Sequence, residues 1–241
     1  WEKITYRPQD WARVEYQKTV FQDVLAQLQD PLTNPPTNPT DTQTQTQTAT
    51  TPSTLVICLA DFQTGKTDYL GGTPELIARV QNVYDQIAST LLALPYLYRE
   101  IILVDVGDIL EGFGNTVQQQ QTNDLSLTDQ IRTAQALILE AIRRFYPYAA
   151  NNLTYVSVPS NHCQVRTKAD AKARANKPND DFGLLIQDNI KQVLDHNPEL
   201  YPNLYFAQPE SPWDESVTVT AQDGTTLGVT HGHLANSPLK V

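Results

Sequence analysis

Four apolar, β-rich runs in this chain each end in a short polar motif. The runs alternate with segments whose apolar residues recur at helical spacing, and this alternation predicts a layered α/β domain. Because loops that leave the carboxyl ends of strands build the sites of such folds, we expect the four motifs to lie close together. The motifs are Asp61-Phe62-Gln63, Gly107-Asp108, Asn161-His162 and His231-Gly232-His233.

The spacing of apolar and turn residues predicts the elements of this domain. We expect strands near 55–60, 100–106 and 153–159, helices over 74–94, 127–145 and 181–195, and a closing hairpin of 217–221 and 226–230. The hairpin is indicated by Asp223-Gly224, a strong signal for a tight turn between two strands.

We divide the chain into three parts. Residues 1–30 form a helical arm, because the apolar residues of 9–30 suit one helix face, and we expect this arm to dock a protein partner. Residues 31–53 are rich in Thr, Gln and Pro, a composition that predicts a flexible linker. Residues 54–241 form the α/β domain.

Charge and hydropathy exclude some classes of function. The net charge of −10 argues against broad electrostatic binding of nucleic acid, although bound divalent cations would reverse the sign locally. No apolar run approaches the ~20 residues that cross a bilayer, and no leader precedes the first motif, so we expect a cytoplasmic protein with no membrane partner.

The two cysteines give no disulfide framework, and Cys58 is expected to be buried in its strand.

The strand-end motifs combine carboxylates, amides and imidazoles, which together can form a metal centre. Such mixed oxygen and nitrogen donors suit Mn, Fe, Zn or Ni rather than Ca. Two ions about 3.5–4 Å apart can activate a bridging water and hold a phosphoryl group for in-line attack. The candidate ligands are Asp61, Gln63, Asp108, Asn161, His231 and His233.

In this order and context the motifs resemble those of the calcineurin-like metallophosphoesterase superfamily. The family pattern is Asp-x-His, Gly-Asp-x-x-(Asp/Glu), Gly-Asn-His-(Asp/Glu), a His often followed by Gly, and Gly-His-x-His. The first segment, Asp61 to Lys66, is similar to a phage-encoded branch in which Asp-x-Gln-x-Gly-Lys replaces the first motif. The matching segments, spread over residues 54–241, are Asp61-Phe62-Gln63, Gly107-Asp108-Ile109-Leu110-Glu111, Ser160-Asn161-His162-Cys163 and His231-Gly232-His233.

The resemblance implies a fold of β-sheets flanked by helices and two divalent transition-metal ions, with Mn expected. Asp61 and Gln63 would hold the first ion, and Asp108 would bridge both. Asn161 and His231 would hold the second ion.

The resemblance also implies catalytic roles and a substrate class. His162 would stabilise the transition state or protonate the leaving group, and Arg166 would clamp the phosphate unless it belongs to a solvated basic loop. The expected function is a two-metal phosphoester hydrolase, a phosphodiesterase or nuclease acting on nucleic acid or nucleotides in phage DNA metabolism, located in the host cytoplasm.

Three departures from the family pattern leave an alternative open. Gln63 is a weaker ligand than His, Ser160 replaces a glycine, and no separate Gly-His-x-His precedes Val241. We therefore expect the domain to be incomplete at its carboxyl end, with His231-Gly232-His233 as the fourth motif or as a displaced fifth. The alternative function is a catalytically impaired phosphoesterase fold that acts as a scaffold or interaction protein.

Overall fold

The computed structural model describes residues 49–114, 119–165 and 177–233. The predicted arm, most of the predicted linker and Arg166 lie outside this part of the chain. The strands are β1 (Ala49–Leu59), β2 (Tyr96–Asp105), β3 (Ala149–Ser157), β4 (Leu204–Ala207), β5 (Ser216–Thr220) and β6 (Thr226–Thr230). The helices are α1 (Thr73–Ala93), α2 (Gln119–Thr122), α3 (Leu127–Phe145) and α4 (Phe182–Asp195), with a 3₁₀ turn at Tyr146–Tyr148.

The main sheet contains four parallel strands in the order β1-β2-β3-β4. Consecutive strands are neighbours, and α1, α3 and α4 each lie in one of the crossovers. Since parallel crossovers share one hand, this sequential order places all three helices on one face of the sheet. The opposite face is covered by the antiparallel hairpin of β5 and β6. The expected layered α/β class is therefore confirmed.

The central strands are buried on both faces, which explains their unbroken apolar sequence. In β2, Ile101 and Leu103 belong to the large core beneath the helices, whereas Ile102 and Val104 pack with Val217 and Val229 of the hairpin. All four β2 side chains are fully or almost fully buried. The run that predicted one strand is thus the middle layer of a three-layer arrangement.

Helix α3 begins and ends at the predicted residues because it has a capping residue at its start and basic residues at its end. The Ser126 hydroxyl accepts a hydrogen bond from the Asp129 backbone N–H at 3.3 Å, which satisfies one of the free amides of the first turn. Arg143 and Arg144 lie in the last turn, where positive charge is favourable. Asp181 caps helix α4 in the same way as Ser126 caps α3.

Several features differ from the sequence-based expectations. Strand β1 begins at Ala49, within the segment predicted to be linker, and neither helix α2 nor strand β4 was predicted. The prediction that Cys58 is buried was wrong, because β1 is an edge strand and the hairpin covers β2 and β3 instead. Val56, on the same face as Cys58, is 38% exposed. None of the helices described is long and apolar enough to cross a membrane.

The register of the sheet brings the strand ends into line. Leu59 pairs with Asp105, and Asp105 pairs with Ser157, so β1, β2 and β3 end side by side. The three loops that follow therefore leave one edge of the sheet together. These loops carry the first three polar motifs of the sequence.

A buried carboxylate joins the hairpin to the sheet on the side of the amino ends of the strands. Glu100 in β2 is 3% exposed and accepts hydrogen bonds from the hydroxyl of Thr54, the amide of Asn152 and the backbone N–H of Gln222. The bond from Gln222 is 2.9 Å long and comes from the turn between β5 and β6. Glu100 thus joins three strands and the hairpin turn.

Replacement of Glu100 by Ala is expected to lower the free energy of unfolding by about 2 kcal/mol, because buried donors would lose their acceptor. Glu100→Gln, which keeps one carbonyl oxygen, is expected to cost less. Urea denaturation followed by circular dichroism measures both. Equal stability of the Ala variant and the wild type would contradict the proposed tie.

Candidate metal centre

The loops that follow β1 and β2 remain hydrogen-bonded to each other beyond the ends of the strands. The backbone N–H of Asp61 donates to Gly107, that of Gln63 donates to Asp108 at 2.8 Å, and that of Thr64 donates to Ile109 at 3.0 Å. The first loop therefore continues the parallel pairing of β1 with β2. This pairing places the Asp-x-Gln motif directly beside Asp108.

Asp61, Gln63 and Asp108 share an unusual backbone conformation. Their φ angles are +53°, +44° and +55°, and they are the only non-glycine residues with positive φ among those the structure describes. Such left-handed conformations are uncommon for residues with a side chain and cluster at functional sites, where the surroundings hold them in place. All three are predicted metal ligands.

Asp108 is held from two sides by the loop that follows β3. Its backbone N–H donates to the Ser160 hydroxyl at 2.9 Å, and its Oδ1 atom accepts from the His162 backbone N–H at 3.0 Å. Gly107 has a φ of +101°, and a Cβ atom there would lie 2.6 Å from the Ser160 Cβ. Ser160 therefore supplies a hydrogen bond that fixes Asp108.

Asp108, Asn161 and His231 bring three candidate ligand atoms together. The His231 Nε2 atom lies 2.9 Å from the Asn161 Oδ1 and 3.4 Å from the Asp108 Oδ2. The His231 Nδ1 atom lies 2.8 Å from the backbone carbonyl of Val106, to which it donates. In the neutral ring, Nε2 then carries a lone pair that faces two oxygen atoms.

Facing acceptors are favourable only when a positive charge lies between them, supplied by a second proton on the ring or by a metal ion. Accordingly, the pKa of His231 is raised, first by the hydrogen bond with Asp108, against the opposing effect of burial, and further by the charges of Asp108 and Asp61. A metal-binding imidazole commonly donates its other nitrogen to a carbonyl, as here. The chemistry of this donor set fits a divalent transition-metal ion.

His162 lies next to the same carboxylate and is oriented by Glu111. Its Nε2 atom is 3.9 Å from the Asp108 Oδ2, and its Nδ1 atom is 3.0 Å from the Glu111 backbone carbonyl and 3.3 Å from the Glu111 Oε2. That Oε2 atom is buried, and in the described part of the chain it lies within ion-pair distance of His162 without accepting a well-formed hydrogen bond. Gln119 donates to the same Glu111 carbonyl at 3.1 Å.

The charge state of His162 follows from these contacts. The contact with the Glu111 carboxylate raises the pKa of His162, burial opposes the shift, and the charge of Asp108 adds to it. The imidazole is therefore held with its Nδ1 edge toward Glu111 and its Nε2 edge toward Asp108.

The remaining predicted residues lie at the margin of this cluster. Asp61 is exposed, and Gln63 accepts a hydrogen bond from the Lys66 ammonium group at 2.6 Å. The rings of His233 and His231 are neighbours, with centroids 5.4 Å apart. Within residues 49–114, 119–165 and 177–233, no three His, Cys, Asp or Glu side chains are grouped so as to hold a metal ion. Asp108, Asn161 and His231 do form a set of three donors, in which one donor is an amide.

Two buried carboxylates that support these loops were missed by sequence reasoning. Asp105 accepts hydrogen bonds from the Gly107 backbone N–H at 2.8 Å and from the hydroxyls of Tyr155 and Ser157 at 3.1 Å each. Burial raises the pKa of Asp105 to about 6, although these hydrogen bonds and the charge of His231 oppose the shift. The available signal was an acidic residue within the apolar run of β2.

Asp181 performs a similar task for the loop after β3. Its Oδ2 atom accepts from the Ser160 backbone N–H at 2.9 Å, and its Oδ1 atom accepts from Gly183 and Leu184 at the start of α4. Burial raises the pKa of Asp181 to about 7 against these three hydrogen bonds. The side chain thus connects the helix to the residue that holds Asp108.

Comparisons of the chain with protein-family models, with curated proteins and with solved structures found no match.

The raised pKa of Asp105 predicts a pH-dependent contribution to stability. Its ordinary pKa is 3.8, so the contribution is complete below that pH and is lost as pH rises through about 6 in the folded state. Asp105→Asn keeps the hydrogen bonds, because the hydroxyls of Tyr155 and Ser157 can accept as well as donate. Between pH 5 and pH 8, the variant should gain roughly 1 kcal/mol in unfolding free energy relative to the wild type.

Urea denaturation of both proteins across this range measures the effect. The control is Asp195→Asn, which changes an exposed carboxylate at the end of α4. A difference between Asp105→Asn and the wild type that stays constant with pH would contradict the assignment.

Proposed function

We propose that this chain is a two-metal-dependent phosphoester hydrolase of the calcineurin-like metallophosphoesterase type. The observation that carries the proposal is the convergence of the His231 Nε2 atom with the oxygen atoms of Asn161 and Asp108, 2.9 and 3.4 Å away. An imidazole whose other nitrogen donates to a carbonyl, aimed at a carboxylate and an amide, is a ligand set for a divalent transition metal.

The proposed ligand roles follow the arrangement of the loops. Asp108, Asn161 and His231 would hold one ion, while Asp61 and Gln63 would hold the other, with Asp108 shared. The ions, Mn by preference, would polarise the phosphoryl group and supply a water nucleophile at neutral pH. His233, beside His231, is a further candidate ligand.

His162 is proposed as the general acid. Its raised pKa favours the imidazolium form, which carries a proton on Nε2, the nitrogen on the Asp108 side. A proton at that atom can pass to the leaving oxygen of a phosphoester. Glu111 holds the opposite nitrogen and so fixes the direction in which His162 donates.

The substrate class rests on the family resemblance. A phosphodiester in nucleic acid or a nucleotide is the proposed substrate, in phage DNA metabolism within a host cytoplasm. Arg166 is proposed as a phosphate contact. The net charge of −10 implies that affinity for nucleic acid comes from the site and not from a broad basic surface.

Hydrolysis of bis-p-nitrophenyl phosphate in the presence of Mn²⁺ tests the proposal. Wild-type chain should release p-nitrophenolate, and His162→Ala or Asp108→Asn should lower the rate by at least about 100-fold, because each removes a group at the reacting centre. The chain is first treated with EDTA, Mn²⁺ is added back, and the release of p-nitrophenolate is then followed by its absorbance.

Matched controls are His196→Ala and Asp195→Asn, which alter exposed residues at the end of α4. Both should retain wild-type rates. Full activity of the His162 and Asp108 variants would refute the proposed site. Single-stranded DNA, duplex DNA and nucleotides tested side by side then identify the substrate class.

The role of Glu111 gives a separate prediction. Glu111→Gln should lower kcat by roughly 10-fold or more, because an uncharged partner no longer favours the imidazolium form of His162. Mn²⁺ affinity should stay unchanged, since the Glu111 carboxylate contacts His162, which is proposed as the general acid. Steady-state kinetics and a Mn²⁺ titration separate the two quantities, and a loss of metal affinity with unchanged kcat would contradict this role.

A second candidate function is a non-catalytic scaffold. The favouring observation is that the amide oxygen of Gln63, a proposed ligand, is engaged by the Lys66 ammonium group. A scaffold would bind no transition metal after incubation with Mn²⁺, whereas the hydrolase must bind it. The metal content of the purified chain distinguishes these two functions.

A further inference from the structure

A positively charged side chain contacts Gln63, one of the two residues proposed to hold the first ion. The Lys66 Nζ atom lies 2.6 Å from the Gln63 Oε1 atom, the only side-chain oxygen of Gln63. Lys66 is also 3.9 Å from the Asp68 carboxylate, and its side chain is 40% exposed. A metal ion and the ammonium group would therefore compete for the same oxygen atom of Gln63.

The local backbone builds this contact. The Lys66 backbone N–H donates to the Gln63 carbonyl at 2.9 Å, which closes a turn and places both side chains together. Gly65 makes the turn with a φ of +100°, and a Cβ atom there would lie 2.7 Å from the buried Gln130 side chain. The turn is fixed beside Asp108 because Gln63 donates to the Asp108 carbonyl.

The charges around the proposed first-ion position oppose each other. The Asp61 and Asp108 carboxylates would attract a divalent ion, but an ion on the Gln63 amide oxygen would lie within about 5 Å of the Lys66 ammonium group, which would repel it. At the other half, the Asp108 oxygen lies with the facing Asn161 and His231 atoms.

We propose that Lys66 is a built-in competitor for the first metal ion, so that the centre binds one divalent ion tightly at Asp108, Asn161 and His231 and a second only when Lys66 leaves Gln63. Asp68 is the partner to which Lys66 moves. This inference rests on the proposed function, because it assumes that the cluster binds metal.

Equilibrium dialysis of the whole chain against Mn²⁺ alone, with bound metal counted by mass spectrometry, tests the inference. The wild type should bind one equivalent tightly and a second at least about tenfold more weakly. Lys66→Met keeps the length of the side chain and removes its charge, so the second equivalent should tighten by about tenfold or more. Lys66→Gln should act in the same direction.

Three further variants complete the design. Lys191→Met, which removes the charge of a lysine on helix α4, should match the wild type. Adding Gln63→Ala to Lys66→Met should abolish the gain, because the freed oxygen is then absent. Asp68→Asn should weaken the second equivalent, because Lys66 loses its other partner. Circular dichroism and thermal melts confirm that each variant is folded.

The outcomes separate this inference from the proposed function. Two equivalents of equal affinity in the wild type, or no change on Lys66→Met and Lys66→Gln, would overturn the competitor role and leave the hydrolase proposal standing. No bound Mn²⁺ in the wild type and the Lys66 variants would refute the metal centre itself, and the competitor role with it. One tight equivalent that becomes two only in the Lys66 variants supports the inference.

Discussion

The site depends on the hydrogen bond from the Asp108 backbone to the Ser160 hydroxyl. This bond crosses from the loop after β2 to the loop after β3, and it holds Asp108 in a left-handed conformation. Because the Asp108 carboxylate faces both His162 and His231, its placement sets the geometry of both imidazoles. Asp181 extends the same chain of contacts to the start of helix α4.

The parallel sheet makes this arrangement possible. Three strands end in register, the helices occupy one face, and the hairpin on the other face delivers His231 to the edge where the loops meet. Strong local signals made this framework predictable. Helix α3 has a serine cap, a clear apolar face and basic residues in its last turn, and both of its ends were predicted correctly. The four-residue strand β4 is too short for its pattern to distinguish it from a loop.

The side-chain contacts could be predicted only in part. Strand ends and motif order indicated that Asp108, Asn161, His162 and His231 would lie together, because residue type and sheet topology govern that outcome. The exposure of Cys58 depends on where the hairpin lies over the sheet, which is a tertiary property that local sequence does not contain. The same is true of the Lys66–Gln63 contact, which requires the conformation of the intervening turn.

The left-handed conformations of Asp61, Gln63 and Asp108 set stability against chemistry at these positions. Each costs of order 1 kcal/mol, a cost that glycine at the same position would avoid. Glycine at any of the three would relieve that cost and would remove a carboxylate or amide oxygen from the loops. The strand ends therefore give up part of the stability of the fold to present these side chains.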